Sequence, residues 1–321
     1  MSPKRQLRHE SYSVALICPL EVELSAARYM LDEEHEPLTQ NPHDHNVYIL
    51  GTMSGHNVVI GSFSRGDIGL TRTAVIIAHL TRTFVEVELC LLVGIGGGIP
   101  STAADIRLGD VVVSNPEGRL GGIVRYDCDY DTTETPQGKK YTPTPAPERG
   151  PVLAKMRSDH RARAHRIDEF IWDMFGRYPL LREHYSRPPT SSDLLFPTDY
   201  WHPNNVTTCA SCDKGRALVR SPRSSPKTSQ IFYGLIASGN SVIKNGVTRD
   251  IIAEEFQGAL CFDMEAAGTF GDLACIVIRG IADYCDSHKN DEWHGYAAAA
   301  AAAMAKEILR YMLLSSLLSL R

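Results

Sequence analysis

The chain of 321 residues is 43% hydrophobic and 22% charged, an ordinary globular composition with enough apolar residues for one large core. Its formal net charge of −5 argues against nucleic acid or an anionic membrane as the main partner, and leaves a small soluble molecule as the expected one. Its eight cysteines lie mostly inside apolar runs, which fits free thiols in a reducing, cytoplasmic compartment.

The opening MSPKRQLRHE has no apolar core for a secretory signal, and residues 1–10 read as a disordered tail before a single domain over 11–321. Tyr12 to Leu20 is the first expected strand, closed by Pro19. In EVELSAARYML the residues Glu21, Glu23, Ala26, Ala27 and Leu31 fall at helical spacing. Glu21 and Glu23 then occupy the first turn, where a negative charge suits the helix end. Asn46–Met53 and Asn57–Ser64 flank Ser54-Gly55-His56 as a hairpin, and a helix is expected from Leu70 to Arg82.

Leu89 to Val93 reads as a buried strand ending in GIGGGIP, Gly94 to Pro100. The sixth position from Gly94 is Ile99 and Pro100 follows, so the run departs from a dinucleotide fingerprint; no nicotinamide cofactor, nor any other, is expected. Glycines there still let a ligand come close to the backbone. Ile106–Asn115 and Gly122–Tyr126 are two further strands. From about 127 to 230 Pro, Thr, Ser, His and Arg dominate, with a short helical pattern at Ala164–Phe175, and this reads as an elaborated insertion. His202, Cys209, Cys212 and Asp213 within it can be written as a zinc site. One CxxC with one nearby His is a weak signal, so the expectation is a loop with free thiols and no metal. SPRSSPKTS, 221–229, reads as a flexible surface connection.

Order returns at IFYGLIASGNSVIKNG, 231–246, followed by a helix from Thr248 to Phe256. In CFDMEAAGTFGDLACIVIRGIADYCD, 261–286, Asp263 is expected to cap a helix starting near Met264. A strand from Ala274 stops at Arg279-Gly280 and leaves Asp283 on the loop beyond. Glu265 and Asp283 would then share the C-terminal edge of an open sheet, where ligands bind. The last helix, Tyr296 to about Leu318, reads as a packing helix; Lys306, Glu307 and Arg310 interrupt its apolar run, so no membrane span is expected.

Alternating strands and helices, the glycine-rich strand end, SGN, FDMEA and RGIADY together resemble the nucleoside phosphorylase/nucleosidase superfamily from about Ser13 to Leu314. The resemblance is strongest to a fungal branch, often the N-terminal domain of larger receptors. It implies a three-layer α/β fold with a central mixed, partly barrel-like sheet flanked by helices. It implies a purine nucleoside or nucleotide as ligand and a homo-oligomer. It further implies that Met264 and Glu265 hold the ribose, that Asp283 protonates the purine, and that Val242 and Ile243, with Asn240, hold the base. Glu23 would position the attacking water, and Gly96 and Gly97 would line the sugar side.

Phosphorylases of the superfamily place cations and a hydroxyl where this chain has Glu23, Leu92 and Ile95. With no cation expected beside Glu23, water is the better nucleophile. The expected activity is thus hydrolysis of the N-ribosidic bond of adenosine, AMP or ATP. The alternatives are a phosphorylase, and a sensing module that binds without turnover. Arg65, Arg72, Arg125 and the basic residues of 216–227 are the candidates to meet a 5′-phosphate.

Overall fold

The computed structural model describes residues 4–63, 68–116, 121–127, 150–203, 208–224, 229–256, 258–269, 273 and 275–319, with side chains through 312. Ten strands are present among them: β1 Val14–Cys18, β2 Glu33–Glu34, β3 Tyr48–Met53, β4 His56–Ser62, β5 Leu89–Gly98, β6 Val111–Ser114, β7 Ile123–Arg125, β8 Ile231–Ser238, β9 Ala259–Asp263 and β10 Cys275–Asp283. The helices are α1 Glu21–Tyr29, α2 Leu70–Thr83, α3 Gly150–Ala162, α4 Ile167–Arg177, α5 Arg182–Tyr185, α6 Gly246–Glu255 and α7 His294–Ser319.

The sheet runs β10-β6-β8-β9-β5-β1-β4-β3-β2, with β7 on β8, and β10 also pairs with β5. That last pairing closes β5, β10, β6, β8 and β9 into a barrel from which β1, β4, β3 and β2 extend as an open wing. The mixed, partly barrel-like sheet flanked by helices is therefore the observed architecture. Closure removes the exposed edges that β5 and β10 would otherwise carry.

Two strands are longer than their residues imply locally. β5 continues through the glycines to Gly98, and β10 passes through Arg279 and Gly280 to end at Asp283. The two run parallel, with Arg279 beside Gly94 and Asp283 beside Gly97. Paired strands on both sides supply the order that glycine, without a side chain to pack, does not. Asp283 thus ends a strand and does not lie on a loop. β9 pairs antiparallel to β5, with Phe262 opposite Gly97, so Gly97 lies between β9 and β10. The ends of β9 and β10 meet across a closed barrel, not along one open edge. The helix expected after Met264 is a 3-10 turn, Ala266–Thr269, among the described residues.

α7 is the packing helix of the sheet: Ala297 to Ala305 are buried, and the Ala297 carbonyl lies where a Cβ on Gly280 of β10 would go. Residues 4–11 are not a loose tail. Arg5 O accepts from Glu36 N (2.9 Å), Lys4 pairs with Glu34 (2.7 Å), and the His9 ring packs on Phe84. The insertion also joins the main core, because Ile167, Phe170, Ile171, Met174 and Phe175 of α4 bury one face. In the expected surface connection, Arg223 pairs with buried Asp110 (2.7 Å) and Ser229 donates to Gly109 O (2.5 Å).

Candidate active site

Glu23 is the third residue of α1 and 2% exposed. Its Oε2 accepts the Leu20 N–H (2.6 Å), a helix-start contact, while Oε1 crosses to β5 and accepts the Ile95 N–H (2.7 Å). Burial pushes its carboxyl up to about 7, against the pull of Arg279 and of those two N–H groups. Only a glycine fits at 94, since a Cβ there would run into the Glu23 carboxylate and the Arg279 guanidinium.

Arg279 is the centre of the charge network and was hidden by the sequence reading. Fully buried on β10, it donates from Nε (2.9 Å) and Nη2 (2.6 Å) to Asp263, and from Nη2 to Glu265 (3.1 Å). Its Nη1 faces Ile95 O at 3.4 Å. The expectation of no cation near Glu23 is thereby corrected. A charged residue in an apolar strand run is itself a signal, because a buried charge needs paired partners. Asp263 does cap the 3-10 turn through Ala266 N (3.1 Å), but its stronger bond is to Arg279. Glu265, despite its ion pair, is pushed up to about 8, because burial and the nearby Asp263 and Glu23 outweigh Arg279.

Asp283 faces the same cavity. Its Oδ1 accepts the Cys285 N–H (2.8 Å), and Oδ2 forms an ion pair with Lys289, a second partner absent from the sequence reading. Lys289 holds its proton more firmly than usual: burial opposes the charge, and the Asp283 carboxylate more than compensates. The cavity of about 210 Å³ is lined by Glu23, Ile95, Gly96, Gly97, Val242, Ile243, Phe262, Met264, Glu265, Asp283, Lys289 and His294, among others. Every expected site residue lines it except Asn240. That side chain accepts from Leu70 N (3.1 Å) and so serves the start of α2. Within the lining, Phe262 packs edge-on to Tyr126, whose hydroxyl donates to Ser241 O (2.6 Å).

The four carboxylates Glu23, Asp263, Glu265 and Asp283 face two cations, Arg279 and Lys289, in a nearly dry setting. Such a pocket favours developing positive charge and disfavours a second anion. Of the cations considered for a 5′-phosphate, Arg72, Arg125, Arg216, Arg220 and Arg223 do not line it, and Arg65 and Lys227 lie outside the described residues. Arg125 pairs with Asp127, and Arg220 with Asp193 and Tyr284. For a metal, the donor set among the described residues is elsewhere, at His202, Cys209, Cys212 and His288. Asp213, named with the first three from sequence, instead turns its carboxylate to Gly215 N (3.0 Å).

The fold is an α/β barrel closed by the β5–β10 pair, with carboxylates at Glu23, Glu265 and Asp283 around one cavity. The family model described as the phosphorylase superfamily matches residues 13–313, and the chain belongs to that family. It is 39% identical over 304 residues to a nucleotide-binding leucine-rich repeat (NLR)-like protein of Hyaloscypha variabilis, a match spanning 94% of this chain and 30% of that protein. The chain thus spans under a third of the length of this curated relative.

Among solved structures it is similar to the 5′-methylthioadenosine/S-adenosylhomocysteine nucleosidase of Neisseria meningitidis in complex with methylthio-immucillin-A. The TM-score is 0.58 at 18% identity, over 93% of this chain and 98% of that one. The futalosine hydrolase of Helicobacter pylori gives a TM-score of 0.58 at 14% identity, over 94% and 98% of the two chains. A Borrelia burgdorferi protein described as a nucleosidase of the first type, bound to adenine, gives 0.58 at 16% identity, over 92% and 99%. At these identities the likeness is one of fold.

Proposed function

We propose that the chain is a purine nucleosidase that hydrolyses the N-ribosidic bond of adenosine-type nucleosides. The observation that carries this reading is Glu23: a buried carboxylate pushed up to about 7, pinned by two backbone N–H groups, in one cavity with Glu265 and Asp283. A general base works best with a pKa near the operating pH. In the reaction the C1′–N9 bond breaks with its electron pair leaving on the purine. Asp283, paired as a carboxylate with the Lys289 ammonium, relays a proton from Lys289 to the purine N7 as the departing base gains negative charge, and solvent reprotonates Lys289 afterwards. Water adds to C1′ and loses its proton to Glu23. Glu265 accepts from the ribose hydroxyls over Met264, and the carboxylate excess steadies the oxocarbenium-like sugar. Val242, Ile243 and Phe262 form the base side.

Arg279 weighs on the phosphorylase alternative. Its guanidinium is engaged by Asp263 and Glu265, so phosphate would have to displace a carboxylate and settle beside Glu23. Two unit charges about 4 Å apart interact by roughly 4 kcal/mol at an effective dielectric near 20, and here the sign is repulsive. With no further free cation in the lining among the described residues, an unphosphorylated nucleoside fits better than AMP or ATP.

The test is base release from adenosine, AMP, ATP and guanosine, followed by chromatography in phosphate-free buffer. Release of adenine with free ribose, unaffected by added phosphate, is expected; ribose 1-phosphate as the main product would overturn hydrolysis. Asp283→Asn should lower kcat by about 10²- to 10⁴-fold and leave nucleoside affinity within about tenfold.

The NLR-like relative favours a second reading, that of a sensing module within a longer protein. Nucleoside binding without any base release would select it. The resemblance also carries the expectation of a homo-oligomer, supported by exposed Val242, which lines the cavity, and exposed Val247 and Ile251 of α6, and a monomer in sedimentation would count against it.

A further inference from the structure

We infer that His202, Cys209, Cys212 and His288 bind one Zn²⁺ as a closed structural site that fastens the insertion to the segment following Asp283. One ligand atom from each of the four lies within 4.8 Å of the others. His288 Nδ1 is 3.5 Å from Cys212 Sγ and 3.7 Å from Cys209 Sγ. A tetrahedral ion with Zn–S near 2.3 Å and Zn–N near 2.0–2.1 Å sets the ligand-to-ligand S···N edge at about 3.6 Å, which both contacts match. Thiol hydrogen bonds account for the two sulfur contacts separately, Cys212 to His288 Nδ1 and Cys209 to the His288 carbonyl (3.7 Å), but not for the convergence of four donor atoms that includes His202.

The surroundings orient His288 as a ligand. His288 Nε2 faces the Tyr200 carbonyl at 3.0 Å, the contact that puts the proton there and turns the Nδ1 lone pair toward the sulfurs. Its ring stacks on Phe196 (4.1 Å between centroids) and Tyr200 (5.2 Å), and its backbone N–H donates to Asp286 (2.9 Å). The two ring nitrogens of His202 face the carbonyls of Pro203 (2.9 Å) and Thr208 (3.1 Å). A neutral imidazole donates through only one of them, so the other carries a lone pair that a metal would take in place of its carbonyl contact. Two thiolates and two imidazoles select zinc, and four protein ligands would leave no position for catalysis.

The site joins segments far apart in the chain. His202 N donates to Ser287 Oγ (2.9 Å), and His288 immediately precedes Lys289, the partner of Asp283. Zinc would hold His202 and the Cys209–Cys212 turn against the 283–289 segment, and so position the Lys289–Asp283 pair from outside the cavity.

The experiment uses the full chain purified without chelators. Metal analysis should give one zinc per chain, and exchange for Co²⁺ should give the visible absorption of a tetrahedral thiolate complex. Cys209 and Cys212 should resist a thiol reagent until a chelator is added, as judged against Cys209→Ser/Cys212→Ser. Hydrogen exchange in 283–289 should then rise. Cys209→Ser alone, at a half-buried position, should fold and lose the metal, and keeps the test sound if His288→Ala fails to fold. A metal-free protein that takes up neither Zn²⁺ nor Co²⁺ overturns the inference. So does a Cys209–Cys212 disulfide whose reduced form binds no zinc.

Discussion

Glu23 does two things with one carboxylate. One oxygen satisfies the open end of α1 through Leu20 N, and the other ties that helix to β5 through Ile95 N. Its raised pKa has a sign that can be measured. Folded Glu23 keeps its proton to about 7 against an ordinary 4.5, so the stabilising effect of the neutral form is complete below the unfolded pKa and disappears as pH rises through about 7. Wild-type stability should therefore fall relative to Glu23→Gln between pH 5 and 8, by on the order of 3 kcal/mol. Parallel denaturant titrations at the two pH values check this, and a constant difference would mean that Glu23 titrates normally. In the same variant, base release should be lost, and with it the rise in kcat/KM expected for the wild type as pH passes about 7.

At the scale of elements, the active-site cavity depends on how β5 and β10 are held. β10 lies between β5 and β6 in the barrel, and α7 crosses it with the Ala297 backbone directly over Gly280. The small side chains of α7 allow that approach, and the closeness in turn fixes the height of Arg279 and Asp283 on either side of Gly280. Gly280→Ala should therefore push helix from strand and destabilise the protein by about 1–3 kcal/mol, the usual result of overpacking a tight core. Thermal unfolding of the purified variant tests it, and an unchanged Tm would mean that the helix shifts without cost. The glycine and arginine at 279–280 read locally as the end of a strand. What overrides that reading is pairing on both sides, between residues nearly two hundred positions apart in sequence, as with Arg279 and Gly94.

Across the whole molecule, legibility followed the range of the interactions. The β3–β4 hairpin, α2 and α7 have local signals, alternation or helical spacing, and appear within a residue or two of their expected ends. Glu23, Glu265 and Asp283 could be named because each sits in a recognisable run. Arg279, Lys289 and His288 could not, because their roles come from partners that only the folded barrel supplies. The contact of Asn240 was hidden for the same reason: its partner, Leu70 N, is 170 residues away.

The excess of buried carboxylates has a thermodynamic consequence beyond the reaction. Burial pushes Glu265 up to about 8 despite its pair with Arg279, so the free protein holds a proton there more readily than an ordinary carboxyl, whereas two ribose hydroxyls donating to both of its oxygens favour the carboxylate. On the proposed reading, binding an uncharged nucleoside must then expel a proton into the solvent. Calorimetry of a non-hydrolysable nucleoside analogue at pH 7 should give a heat that varies with the ionisation enthalpy of the buffer, and an affinity that climbs toward pH 8. Heats identical in phosphate and Tris would mean that Glu265 is already charged when the ligand arrives.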